Sequence, residues 1–323
     1  MSLACRRPAA LLVLLACVAP AVFAQGYPSK PIRLVVPSAP GGGIDFTARV
    51  LAGPVGAALG QSVVVDNRAG ASGIIGAETV AKAEPDGHTI LQASSSLTVI
   101  PHMYRKIPYD LLKDFAAISL VARTPNLLVV HPSVPARSVK ELIALAKAEP
   151  GRLTFASSGA GRASHLAAER FKLMAGIDMT HVPFKGTGPA VTATIAGEVR
   201  LIFSTIPTVL PHMKTGRLRA LGVGSLKRSA AAPEVPTIAE EGLPGYEADT
   251  WYGFVAPARV PRAIIDALNA VTVKALRLPE TRERFLADGS EPIGSTPEEF
   301  RRFMAAELQH WGEVVRKAGL RVE

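Results

Sequence analysis

Apolar residues recur along the chain as short β-branched runs separated by longer amphipathic stretches. The runs Ile32–Val36, Ser62–Asp66, Thr89–Ala93, Leu127–Val130, Leu153–Ala156, His181–Phe184, Leu201–Ser204 and Arg219–Val223 predict strands. Between most of them, apolar positions fall at helical spacing over Phe46–Ala58, Ile74–Ala83, Val139–Ala148, Ala163–Ala175 and Ala190–Ala196. Strands alternating with helices of this length predict an α/β class with mostly parallel sheets covered on both faces. The last third differs. A strand over Trp251–Ala256 is followed by three helical patterns, Arg262–Leu276, Glu280–Ala287 and Pro297–Lys317. The last carries Phe300, Phe303, Met304, Leu308, Trp311 and Val315 at helical spacing, an apolar stripe expected to dock the helix against a core.

Residues 1–24 stand outside this pattern. Arg6 and Arg7 precede the apolar run Ala9–Ala19, and Val22-Phe23-Ala24 places small residues where a signal peptidase reads, which predicts a secretory signal cleaved after Ala24. Pro20 interrupts the run short of the roughly 18 to 20 apolar residues needed to cross a bilayer. Leu14-Leu15-Ala16-Cys17 also resembles a lipoprotein cleavage site, the less favoured alternative, which would acylate Cys17. Both cysteines, Cys5 and Cys17, lie in this segment, so the expected mature chain of 299 residues (323 less 24) relies on its core and not on disulfides. At 48% apolar composition that length suffices for two lobes.

Charge narrows the function classes. Without Arg6 and Arg7 the 36 basic residues fall to 34 against 27 acidic ones, a surplus scattered along a chain with only 6% aromatics. Nucleic-acid binding expects clustered Lys and Arg interleaved with aromatics, so the surplus reads as a solvated basic surface.

Candidate chemistry sits where strands lead through small residues into helices. In Ser38-Ala39-Pro40-Gly41-Gly42-Gly43-Ile44-Asp45, glycine lets backbone approach a ligand, and the following helix offers unpaired N–H groups and a positive dipole end to an anion. Asp45 is read first as a cap of that helix and second as an acceptor for a ligand donor. Ser157-Ser158-Gly159-Ala160-Gly161-Arg162-Ala163-Ser164-His165 repeats the layout, and so does Phe184-Lys185-Gly186-Thr187-Gly188-Pro189. Nucleotide and catalytic motifs fail on spacing. Gly159-Ala160-Gly161-Arg162-Ala163-Ser164 has serine where a dinucleotide loop needs its third glycine, and no P-loop occurs. No serine has glycine two before and two after it, no H-E-x-x-H exists, and the seven histidines are dispersed, so neither a nucleophile elbow nor a zinc site is legible. Ser164 and His165, adjacent on a helix, point about 100° apart. Glycine cradles without catalytic apparatus or cofactor motif point to binding rather than turnover.

The residues that carry those cradles, Pro37–Asp45, Asp66–Gly76, Glu84–His88, Ser157–Leu166, Val182–Ala190, Gly216–Gly222, Val235–Gly245 and Trp251–Pro257, resemble in order and spacing the signatures of the Bug family, the solute-binding receptors of tripartite tricarboxylate transporters. The resemblance implies a type II periplasmic-binding-protein fold, with lobe one formed by residues 25–126 and 237–323, lobe two by 127–236, and a small organic carboxylate between them. It also implies a periplasmic monomer, no enzyme and no cofactor, with transporter membrane subunits as partners or, alternatively, a sensor kinase reading the closed form. The ligand contacts it implies are Ser38, Pro40, Gly41, Gly42, Gly43, Asp45, Ser94, Ser157, Ser158, Gly159, Ser164, His165, Phe184, Lys185, Gly186, Thr187 and Ser204. The chain departs from the family pattern in carrying Phe184 for a usual tyrosine, and a basic and a small residue, Arg200 and Ser204, where an acid and an amide are usual.

Overall fold

A computed structural model describes residues 26–184, 186–317 and 319–320, so the signal segment, with Cys17, and Lys185 lie outside the described residues. Within them, three β-branched segments pair in parallel as β2 (Val63–Asn67), β1 (Ile32–Val36) and β3 (Thr89–Ser94), with β1 in the middle. Parallel neighbours need crossovers. Here they are α1 (Gly43–Leu59), ended by Gly60 in the left-handed region, and α2 (Ile74–Ala81). A second parallel trio repeats the plan, β6 (Thr180–Pro183), β5 (Thr154–Ser157) and β7 (Leu201–Thr205), joined by α5 (Ala163–Ala175) and α6 (Thr187–Ile195).

The two trios are joined by one strand. β4 (Phe115–Val130) is 16 residues long. Its residues 115–125 pair antiparallel with β9 (Asp249–Pro257), which lies against β3, and its residues 126–130 insert between β7 and β8 (Arg219–Val223). Each half thus holds three parallel strands in the order 2-1-3 followed by an antiparallel strand that arrives from the other half. Only Leu127–Val130 of β4 was legible as strand, because Arg123, Thr124 and Pro125 interrupt the apolar run that precedes it. Two short helices also escape the pattern, α3 (Ser96–Met103) and α7 (Ile206–Lys214), because Pro101 and Pro211 sit inside them.

The crossing is tight. Asn126 donates its side-chain amide to the Ala248 carbonyl at 2.8 Å, Gly224 N–H donates to the Asn126 carbonyl and Ala248 N–H to the Gly224 carbonyl, both at 2.7 Å. A Cβ on Gly224 would stand 3.0 Å from one of those carbonyl oxygens and 3.1 Å from the other, so no larger residue fits without moving backbone. The return to the first half comes later than expected. From residue 237 the chain stays with the second half, burying Ile238, Leu243, Tyr246 and Ala248 among Leu128, Phe155, Phe171 and Phe203, and Tyr246 donates its hydroxyl to the Ala167 carbonyl. Those apolar positions follow no strand or helix period, so their packing partners are not legible in the sequence.

The final third covers the first half with α8 (Arg262–Arg277), α9 (Pro279–Ala287), the two-residue β10 (Glu291–Pro292) and α10 (Pro297–Lys317). The α10 stripe is core packing. Phe300 and Met304 pack with Trp251, while Trp311 and Val315 join Val99 and Met103 of α3 and Leu166 of α5. Helix α10 therefore touches both halves near the crossing, where Arg170 of α5 meets His310 of α10 at 2.6 Å and Arg123 of β4 meets Glu247 at 2.8 Å. Beside them stands the half-buried Asp249, with its Oδ1 buried and without a partner among the described residues. Burial pushes its pKa up to about 7; Arg123 opposes this, and the acids Glu247, Glu291 and Glu307 add to it.

Two outcomes test this arrangement. Because the folded chain keeps the Asp249 proton that an unfolded chain loses near pH 3.8, its ionisation penalises the fold increasingly from there to about pH 7. Asp249→Asn is expected to raise Tm at pH 8, by at most a few kcal/mol of stability, and to leave it unchanged at pH 4. Gly253→Ala is expected to cost about 1 to 3 kcal/mol in chemical denaturation, since the new Cβ would strike the Phe300 ring and lie 2.9 Å from the Ser119 carbonyl oxygen.

Candidate functional site

The loop after β1 uses its three glycines for three different reasons. Gly41 has φ +89°, a left-handed conformation that glycine adopts freely. Gly42 caps α1 with φ −91° and ψ 169°, extended backbone open to any residue, and a Cβ there would meet nothing within 4 Å. Gly43 faces the hydroxyl of Tyr252 from β9 so closely that a Cβ would collide with it. Asp45 belongs to the scaffold of this loop. One of its oxygens accepts from Gly41 N–H and from Arg49 Nε, each at 2.9 Å, and the other from the Asn67 amide at 2.9 Å. Burial raises its pKa, but the hydrogen bonds from Arg49, Gly41 and Asn67 outweigh burial and hold the carboxyl below the usual carboxylate range. Gly41 N–H is therefore already satisfied. Among the described residues no acceptor takes the N–H of Gly42 or Gly43 at the helix end.

The second half answers with loops braced by two neutral imidazoles. Ser157 accepts from Gly159 N–H at 3.1 Å, and its hydroxyl hydrogen-bonds Nε2 of His181 at 2.6 Å. His165 accepts at Nδ1 from Gly161 N–H at 3.0 Å and stacks on His181 with ring centroids 3.9 Å apart. Burial lowers both pKa values, His165 to about 3 with help from His181 and Lys172, and His181 to about 4 with help from Lys172. With His165 only 3% exposed, the expectation that it meets a ligand is corrected: it anchors the loop from below. The Ser157–His181 pair has the spacing of a nucleophile and its base, yet Ser157 is fully buried and no substrate reaches it. Ser164, in the first turn of α5, braces the preceding loop by accepting from Ser158 N–H at 2.9 Å, with the two hydroxyls 3.0 Å apart.

These loops enclose a cleft of about 660 Å³ between the halves. Of the expected contacts, Ser38, Pro40, Gly41, Gly42, Gly43 and Ser94 line it from the first half, and Ser158, Ser164, Gly186, Thr187 and Ser204 from the second. Gly186 holds φ +115° and donates its N–H to the Ser158 carbonyl at 3.2 Å, which ties the loop before α6 to the loop before α5. Asp45, Ser157, Gly159, His165 and Phe184 do not line the cleft. The first four are turned into hydrogen bonds beneath or within the loops, and Phe184 packs into the second core. The structure adds residues that were not among the expected contacts: Thr124, Asn126, Thr250 and Tyr252 on the crossing strands, Arg162 at the N-cap of α5, and Asp288 after α9. The crossing-strand residues had no legible signal, since only their pairing brings them to the floor of the cleft. Arg162 could have been found as the one cation inside the second glycine-rich loop.

Residues 47–320 match the model of the tripartite tricarboxylate transporter family receptor. The chain is 41% identical over 308 residues to the protein BugT of Bordetella pertussis, covering 95% of this chain and 94% of that one. Among solved structures it resembles Rpa4515 of R. palustris with adipate (36% identity, TM-score 0.83, 91% of this chain and 99% of that one). It also resembles MatC of Rhodopseudomonas palustris with bound malate (30% identity, TM-score 0.78, 90% and 100%). The strand order 2-1-3 in both halves, with the exchanged antiparallel strand, is that of a type II periplasmic-binding protein. With its fold, its interlobe cleft and its sequence in agreement, the chain belongs to the tripartite tricarboxylate transporter receptor family, a family of Bug-type solute-binding receptors and not of enzymes.

Proposed function

We propose that the protein captures a small organic carboxylate in the periplasm, as a monomer released from its signal segment, and delivers it to the membrane subunits of a tripartite transporter. The observation that carries this reading is the meeting of three helix N-termini, those of α1, α5 and α6, at one cleft from opposite halves. Each presents unpaired N–H groups and the positive end of a helix dipole, which suits an anion. None of the three is closed by a side-chain cap on its N-cap residue, and two of those residues, Gly42 and Gly186, have no side chain at all. Arg162 adds a full positive charge to the lining. Adipate in Rpa4515 and malate in MatC support the ligand class.

The lobes in this proposal are residues up to 125 with those from 249 onward, and residues 126–248. A carboxylate held by Gly42 and Gly43 on one lobe and by Ser158, Arg162 or Thr187 on the other makes its full set of contacts only when the cleft is shut. Hydrogen bonds to a charged acceptor contribute about 1.5 to 3 kcal/mol each. A few of them reach the roughly −8 kcal/mol of micromolar binding after ordering costs. The closed state is then the form the membrane subunits read, because the ligand stabilises it selectively.

Titration calorimetry with adipate, malate and related dicarboxylates is expected to give micromolar binding, with a smaller radius of gyration in solution scattering when ligand is present. Gly42→Leu is expected to keep the wild-type Tm, since its backbone and surroundings accept a side chain, and to weaken binding by about a hundredfold or more, in keeping with the loss of two charge-assisted hydrogen bonds. Wild-type affinity in that variant overturns the cradle.

A further inference from the structure

We infer that the cleft floor holds an acceptor site, formed by Asp288 from one half and Ser204 from the other, for a hydroxyl or ammonium group carried by the ligand beside its carboxylate. The inference rests on the carboxylate reading and adds to it what else the ligand must bear.

Asp288 follows α9 in the tight turn Asp288-Gly289-Ser290 and lines the cleft. Ser290 donates its hydroxyl to one Asp288 oxygen at 3.0 Å. A carboxylate only accepts, so the 2.6 Å contact between Ser290 and Thr124 is a donation from Thr124. This chain of hydroxyls fixes one oxygen of Asp288 and leaves the other without a partner among the described residues. No Lys, Arg or His lies within salt-bridge distance of it among the described residues. A half-buried carboxylate without a cation, inside a cleft built for anions, repels a second carboxylate and attracts a donor.

Ser204 supplies the second observation. It stands at the end of β7, is 2% exposed, lines the same cleft, and its hydroxyl has no hydrogen-bond partner among the described residues. A buried hydroxyl left unpaired is costly, and a ligand polar group at this place would satisfy it. The two groups line one cleft from opposite halves, where the Asp288 turn packs on the β7–α7 junction: a Cβ on Gly289 would lie 3.0 Å from Cβ of Ile206, two residues beyond Ser204. Tyr252 lies between this floor and the glycine cradle. Its hydroxyl stands against Gly43, and its side chain lines the cleft together with Asp288. The cleft therefore has an anion end at Gly42 and Gly43 and an acceptor end at Asp288. A plain dicarboxylate would satisfy only the first.

The test is calorimetric affinity at pH 7.5 for succinate, malate and aspartate, and for glutarate and adipate with their 2-hydroxy and 2-amino derivatives. These are measured on the wild type, Asp288→Asn and Ser204→Ala, with Tm recorded for each. The wild type is expected to prefer a hydroxyl- or amino-bearing acid over its unsubstituted parent by about ten- to hundredfold, the span of a hydrogen bond to a charged group. Asp288→Asn should erase most of that preference by weakening the derivatives relative to a parent acid whose affinity holds or rises, since the charge that repels its second carboxylate is gone. Ser204→Ala should reduce the preference in the same direction. A larger loss for amino than for hydroxyl derivatives in Asp288→Asn assigns the donor as an ammonium, and the reverse assigns it as a hydroxyl; either supports the site. Carboxylate binding without any preference, or equal losses for parent and derivative in Asp288→Asn, overturns this inference and leaves the carboxylate reading standing. Absence of binding to every acid in the panel overturns both.

Discussion

One backbone passage governs this molecule: the point where β4, the end of β8 and the start of β9 cross within hydrogen-bond reach of one another at Asn126, Gly224 and Ala248. On either side lies a parallel α/β layer of three strands. The crossing makes them one protein with a cleft, because each sheet completes itself with a strand belonging to the other. It also confines relative motion to a few residues, since the strands are paired up to Asp249 on one side and from Asn126 on the other. The absence of a side chain on Gly224 is what lets the three segments approach.

The loops that face one another across the cleft are stiff for reasons hidden beneath them. In the first half, Asp45, Arg49 and Asn67 form a polar brace that holds Gly41 and the Ser38 carbonyl. In the second, a stacked pair of uncharged imidazoles and the Ser157 hydroxyl hold Gly159 and Gly161. Both braces consume backbone N–H groups that a ligand could otherwise have used, and in return fix the direction of those that remain. Preorganisation of this kind lowers the ordering cost of binding.

Much of the architecture was legible in the sequence because periodicity reports local burial. The alternation of strands and helices, the glycine cradles and the α10 stripe all follow from neighbours along the chain. What escaped depends on partners far away in sequence. Residues 115–126 look mixed because Arg123 and Thr124 serve the crossing and Pro125 breaks the apolar run, although all of them are strand. The family resemblance puts Asp45 and His165 among the ligand contacts, but a motif's place in a loop does not fix which way each side chain turns. Asp288 and Tyr252 lie outside any glycine-rich turn, and only the packing of α9 and the return of β9 bring them to the floor.

Gly42 deserves a last comparison with its neighbours. Gly41 is held by its dihedral angles and Gly43 by the tyrosine ring beside it, whereas Gly42 is constrained by neither strain nor crowding. A lineage descended from this receptor could therefore exchange that residue without harming the scaffold and so alter which cargo is admitted. Positions of this kind, idle for folding yet open to the cleft, give one architecture the room to vary its lining.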